Sequence, residues 1–410
     1  MARVLKNASW LTVSHLVGYA IPLIELPILT RALGPDAYGK LLFVQSLALS
    51  SSLVVEYGFN LSASRAVARN RDNLPYIRQL FGSVILAKLL ITLLLVVFVA
   101  IFYVIQSPQM TATDWGLSAA AFLFFLAFGF SPFWYFQGIE RMLGPVALDL
   151  TLRFGGVALL YMYIHEQDDA VMALAILATM GLCNTLITSC WVLKLIGFPR
   201  FNLAGAWLQV REGWYTFVYR SSSSVLLSAS PAVLGFSAGT FATGIFVPAE
   251  KLIRASTGLA LPVLTAFFPY LSRLASTADS RGNNQGWMLV GVLTLGGVIG
   301  ALLLWLLAPW LILLLAGEGF AASIGLMSLF VWLIPLRMLS QSLGLAILLP
   351  RGDERFAGYT LICFSVIAIT LGVLLSGYYG AVGMIAALLV AESILVLLLL
   401  YRAVKGHVAR

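Results

Sequence analysis

The chain has 410 residues, 60% of them hydrophobic and only 10% charged, with a net charge of +8. A soluble domain carries about 25% charged residues, so no water-facing surface can be built from this composition and the surrounding solvent must be lipid. The basic excess sits in short connections between apolar runs, where it is an orientation signal and not a nucleic-acid footprint.

Apolar runs recur from end to end. They predict spans at roughly 8–29, 38–62, 81–105, 114–138, 144–164, 170–194, 213–236, 240–270, 287–315, 321–349, 356–377 and 380–401. Each reaches the ~20 residues needed to cross ~30 Å of hydrocarbon. The first is read as a retained span, because its apolar stretch is too long for a signal peptide and no small-x-small cleavage site follows. The eighth carries Pro248, Pro262 and Pro269 and is expected either to kink or to continue past the membrane surface.

Lys and Arg in alternate connections number 17 on one side of the membrane and two, Arg31 and Lys40, on the other. This asymmetry predicts that both termini are cytoplasmic. The outer connection HEQDDA, 165–170, has no Lys or Arg. Cys183, Cys190 and Cys363 all lie inside apolar runs without metal-ligand spacing, so neither a zinc site nor a disulfide framework is expected. No Walker motif is present.

The basic stretch 194–212 separates six spans from six. A faint echo links the halves: Trp10 with Trp214, Pro27 with Pro231, and AYGKLLF (37–43) with ATGIFVP (242–248). The reading is an all-α integral membrane protein of about twelve helices in two six-helix lobes, 1–200 and 201–410. Six spans per lobe give parallel repeats related by a pseudo-two-fold along the membrane normal, with the substrate path between them.

Ionisable residues inside spans are costly and are candidate functional groups. Glu25, between Pro22 and Pro27, is read in a helix broken by the prolines, where it either binds a proton or cation or pairs near the outer surface. Glu56 sits near the inner end of the second span and either pairs with a base such as Arg65 or couples an ion. Lys88 is expected to snorkel inward from the third span. Asp149 and Arg153 are one turn apart and are expected to pair, with Arg153 still able to line a cavity. Arg220 precedes four serines, Ser221 to Ser224, a pattern suited to a wet cavity.

Glu250, Lys251 and Arg254 form the densest intramembrane cluster, net positive, just after Pro248. Either they form a structural network or they await an anionic partner such as a ligand phosphate. Arg337 adds a cation in the tenth span, and Glu392, deep in the last, is either protonated or paired across helices.

The segments LTRALGPDAYG (29–39) and EYGFNLSASRAVARNRD (56–72) resemble the polysaccharide transporter family, the Wzx-type O-antigen flippases of the multidrug/oligosaccharidyl-lipid/polysaccharide exporter superfamily. The likeness covers 26–72 closely and the rest in length, span number and layout. It implies a translocase without a chemical step. Such a protein moves an undecaprenyl-pyrophosphate-linked oligosaccharide, an O-antigen or exopolysaccharide repeat unit, between leaflets of the bacterial inner membrane by alternating access.

In that role Arg220, Lys251, Arg254, Arg337 and Arg153 would meet pyrophosphate, and Glu25, Glu56 or Glu250 would couple H+ or Na+. No other cofactor is implied. The partners implied are the lipid-linked oligosaccharide, membrane lipids, and a polysaccharide polymerase and chain-length regulator. Competing readings are a drug/cation antiporter, which would want more lumenal carboxylates, and a membrane polymerase or ligase, which would want a larger outer loop.

Overall fold

The computed structural model describes residues 2–106, 111–276 and 280–408, and these contain helices and connections but no strand. Among the described residues, nine stretches are long and apolar enough to cross a bilayer. Two of them hold a pair of spans each. Helix α1 (Ala2–Glu56) is interrupted at Gly34 (φ 68°, ψ 175°), and α14 (Glu354–Val408) at Gly380 (φ 58°, ψ −137°). With these counted as pairs, and with α8 (Leu203–Ala238), whose 36 residues are ample for a crossing, the helices supply the twelve spans. Large apolar side chains cover the outside: Leu94, Leu306 and Leu397 are each more than 60% exposed, as a lipid-facing surface requires.

The remaining helices are α2 (Phe59–Arg69), α3 (Leu74–Gln106), α4 (Ala112–Gly129), α5 (Phe133–Gly138), α6 (Leu143–Tyr163), α7 (Ala170–Ile196), α9 (Thr240–Gly258), α10 (Ala260–Ser276), α11 (Ser280–Leu315), α12 (Ala322–Phe330) and α13 (Leu333–Ser342). Local signals explain several ends. The α4 N-terminus is a capping box: the Thr111 hydroxyl accepts the Asp114 N–H at 3.3 Å, and the Asp114 carboxylate accepts the Thr111 N–H at 2.9 Å. Such a cap is worth about 1 kcal/mol. The eighth run divides at Leu259 into α9 and α10, while Pro248 lies inside a continuous helix.

The described chain forms two compact units, one of residues 1–17 and 41–229 and the other of 18–40 and 230–410. The grouping differs from a cut at residue 200 in two ways: 201–229 groups with the first half of the chain and 18–40 with the second.

The reason for the second lies in unit 2. The sequence pattern places a helix break at Pro22 and Pro27, but the helix runs through both and breaks at Gly34. Each proline removes a single backbone bond, whereas positive φ at a glycine redirects the chain. Gly239, 205 residues later, adopts the same backbone shape (φ 89°, ψ 169°) and opens α9.

Five residues beyond each break, the two equivalent glycines meet. A methyl on Gly39 would stand 1.9 Å from the Thr240 carbonyl oxygen, and one on Gly244 would stand 2.0 Å from that of Pro35. The contact is reciprocal, 39 on 240 and 244 on 35, as two copies of one repeat would make it. Just before the break, Arg31 serves the end of α11: its guanidinium donates to the Leu314 carbonyl at 2.7 Å, while the Thr30 hydroxyl, which donates to the Leu26 carbonyl of its own helix at 2.7 Å, lies 3.3 Å from that of Leu315. A cation there satisfies an orphan carbonyl and complements the helix dipole.

Candidate functional site

Unit 2 gathers most of the costly residues into one cluster. Segment 18–40 brings Glu25 and Tyr38, α9 brings Glu250, Lys251 and Arg254, α13 brings Arg337, and the second part of α14 brings Glu392. Three of the charged ones are almost completely buried: Glu250 (4% exposed), Arg337 (6%) and Glu392 (3%).

Their pairing is specific. The Arg254 guanidinium donates to Glu250 Oε1 from Nη2 at 2.7 Å and from Nε at 3.1 Å, as the one-turn spacing allows. Arg337 Nε lies 3.6 Å from Glu392 Oε2, and the other carboxylate oxygen accepts the Ser340 hydroxyl at 2.5 Å. The partner that Glu392 lacks within its own helix is therefore Arg337, across helices. Glu250 also lies within electrostatic reach of Arg337 and Lys251.

Lys251 differs from the two arginines. It makes no ion pair among the described residues, and its ammonium lies over the Tyr38 ring, 5.6 Å from the centroid. Tyr38 is fully buried, set edge-on to Phe320 at 5.9 Å, and its hydroxyl finds no hydrogen-bond partner among the described residues. The charges of Lys251, Glu25 and Glu250 all reach it. A cation over an aromatic face gains about 0.5–2 kcal/mol, and Lys251 is half-buried, so its ammonium is not sealed off by that contact. The group remains chemically receptive to an anion. Arg254 is the accessible member of its pair, with its side chain 30% exposed against 6% for Glu250.

The other predicted cations lie elsewhere. Arg153 belongs to unit 1, where Nε donates to Asp149 Oδ2 at 2.8 Å and Asn184 donates to Asp149 Oδ1 at 3.0 Å, the expected one-turn pair. The Arg220 side chain and Ser221 to Ser224 lie outside the described side chains. Glu56 is also in unit 1 and accepts the Asn60 amide one turn on. Lys88 does not snorkel: it is 2% exposed and donates to the Gly129 carbonyl at 2.8 Å. The expected snorkelling fails because an ended helix beside it offers carbonyl oxygens within reach. Tyr38 and Ser340 were not singled out from the sequence, where an aromatic in DAYG and a serine in a span carry no charge signal.

Apolar crossings around buried, cross-paired charges define an all-α, multi-pass membrane protein. The chain belongs to the polysaccharide biosynthesis protein family, whose model matches residues 4–275. A relative from Shigella dysenteriae, named as an O-antigen transporter, is 26% identical over 407 residues, covering 98% of this chain and all of its own. Another of that name from Escherichia coli K12 is 24% identical, covering 96% and 95%.

Among solved structures, the lipid II flippase MurJ in an inward closed conformation matches with a TM-score of 0.71 at 11% identity, over 95% of this chain and 86% of that one. An inward-facing multidrug resistance MATE transporter matches with a TM-score of 0.65 at 14% identity, over 94% and 98%. Both likenesses are of the all-α membrane fold, and the second structure is described as a member of the MOP superfamily.

Proposed function

We propose that this protein is a flippase of the bacterial inner membrane with both termini in the cytoplasm. It moves an undecaprenyl-pyrophosphate-linked oligosaccharide, an O-antigen or exopolysaccharide repeat unit, from the inner to the outer leaflet by alternating access through a cationic cleft. No bond is made or broken. The names and full-length coverage of the two O-antigen relatives support the substrate class.

The observation that carries the reading is Lys251, a cation that makes no ion pair among the described residues, beside the accessible Arg254. Lys251 supplies a point charge and Arg254 a planar fork, together suited to a pyrophosphate. Arg337 is held by Glu392 and acts through Glu250, at one remove from the ligand. Glu25 and Glu250, the acids around Tyr38, are where a coupling H+ or Na+ would enter. A polymerase and a chain-length regulator would take the product on the far side.

The test is surface display of glycan in cells whose own flippase is deleted. Lys251→Glu and Arg254→Glu are expected to abolish it while membrane levels of the protein stay unchanged. Full display from both variants would overturn the assignment.

A further inference from the structure

Lys88 is the buried cation that the substrate reading leaves unused. It sits midway along α3, and besides its 2.8 Å bond to Gly129 it reaches the Ser131 carbonyl at 3.4 Å. These oxygens lie at the gap between α4, which ends at Gly129, and α5, which starts at Phe133. Other carbonyls of that end are already satisfied: Leu126 accepts the Phe130 N–H at 3.1 Å, and Ala127 accepts the Thr185 hydroxyl of α7 at 2.5 Å. The ammonium takes the ones left over.

A second interrupted helix approaches the same place. A methyl on Gly129 would stand 3.4 Å from Val55 Cγ1, and the next residue, Glu56, is within electrostatic reach of Lys88. Glu56 ends α1, and the chain then turns through left-handed backbone at Tyr57 (φ 48°) and Gly58 (φ 74°). Thr92, one turn beyond Lys88 on the same face of α3, is buried and its hydroxyl has no partner among the described residues.

Two carbonyls hold the ammonium directly, the Thr92 hydroxyl lies one turn along the same helix face, and the Glu56 carboxylate is within electrostatic reach, so the surroundings are oxygen-only and carry a single negative charge. Discontinuous membrane helices hold small cations with such carbonyl ends, and hard cations take oxygen ligands. We propose that this is a monovalent-cation site of unit 1 that the chain fills with its own Lys88 ammonium, a tethered stand-in for Na+, K+ or NH4+. Lys88 thereby fixes the geometry of both breaks without depending on an ion from solution.

The test is thermal unfolding of the purified full chain in choline chloride and in NaCl, KCl or NH4Cl at equal ionic strength. The wild type should unfold at the same temperature in all four. Lys88→Ala should unfold roughly 5 °C or more lower in choline and recover saturably in at least one small-cation salt. The recovery should vanish in Lys88→Ala/Glu56→Gln. Lys88→Gln keeps a donor and fills the space, so it should show no salt response.

If Lys88→Ala is unaffected in choline, or shows the same midpoint in every salt, the proposal fails. An equal response in Lys88→Gln would mark a nonspecific salt effect and also overturn it. If Lys88→Ala cannot be isolated in choline, isolation in a small-cation salt alone supports the proposal. Isolation in neither refutes it.

Discussion

Arg337 and Glu392, 55 residues apart in sequence and on different helices, neutralise one another at 3.6 Å inside unit 2. Removing one partner strands the other charge in a dry interior, at a cost of about 3–5 kcal/mol, whereas replacing both with apolar groups is often neutral. Glu392→Gln should therefore lower the unfolding temperature of the purified protein sharply. Arg337→Met/Glu392→Met should return it close to the wild-type value. An additive double variant would mean that the two charges are not coupled.

The meeting of Gly39 and Gly244 predicts a steric effect with a built-in control. Gly39→Ala pushes a methyl into the Thr240 carbonyl and should cost about 1–3 kcal/mol. Gly300, within α11, faces open space, and a methyl added there would meet nothing within 4 Å. Gly300→Ala should leave stability unchanged or raise it by about 0.5–1 kcal/mol. Denaturation midpoints of both variants check the contrast.

Arg31 reaches the end of α11 from the segment before the Gly34 break. Arg31→Ala removes a charge-assisted bond to an orphan carbonyl and should cost about 1–2 kcal/mol. Arg31→Lys should recover only part of it, since an ammonium on a shorter reach replaces a planar fork. The same unfolding measurement decides.

What the sequence reveals follows from range. The Asp149–Arg153 and Glu250–Arg254 pairs are readable because one helical turn separates the partners, and both form. The Arg337–Glu392 pair and the Gly129 oxygens that hold Lys88 come from distant elements, so no spacing announces them. The weak echo between 37–43 and 242–248 was legible as a repeat, but that its two copies touch is not something a period can say. The prolines around Glu25 misled because a lost backbone bond is tolerated within a long apolar helix, while Gly34 looks in sequence like any other glycine. The segment 29–39, which carries the family likeness, owes its shape to capping, turning and close packing.

Outside the spans, Arg71 lies 2.5 Å from Glu140 and holds its carboxyl below the usual carboxylate range. A depressed folded-state value stabilises above the usual range and is lost as pH falls through it. Both side chains are well exposed, so the effect is small. Unfolding temperatures of wild type and Glu140→Gln should differ slightly at neutral pH and converge below about pH 3. A difference that grows in acid would reverse the sign.

The central claim is that Lys251 and Arg254 carry the pyrophosphate of a lipid-linked glycan across the bilayer. The most direct measurement reconstitutes the purified protein into vesicles with a fluorescent polyprenyl-pyrophosphate oligosaccharide and follows its exposure to a membrane-impermeant quencher. The account predicts translocation by the wild type, at least a tenfold loss in Lys251→Glu and in Arg254→Glu, and no movement of a lipid-linked sugar lacking phosphate. Translocation that is equally fast in both variants, or for the phosphate-free lipid, would contradict it.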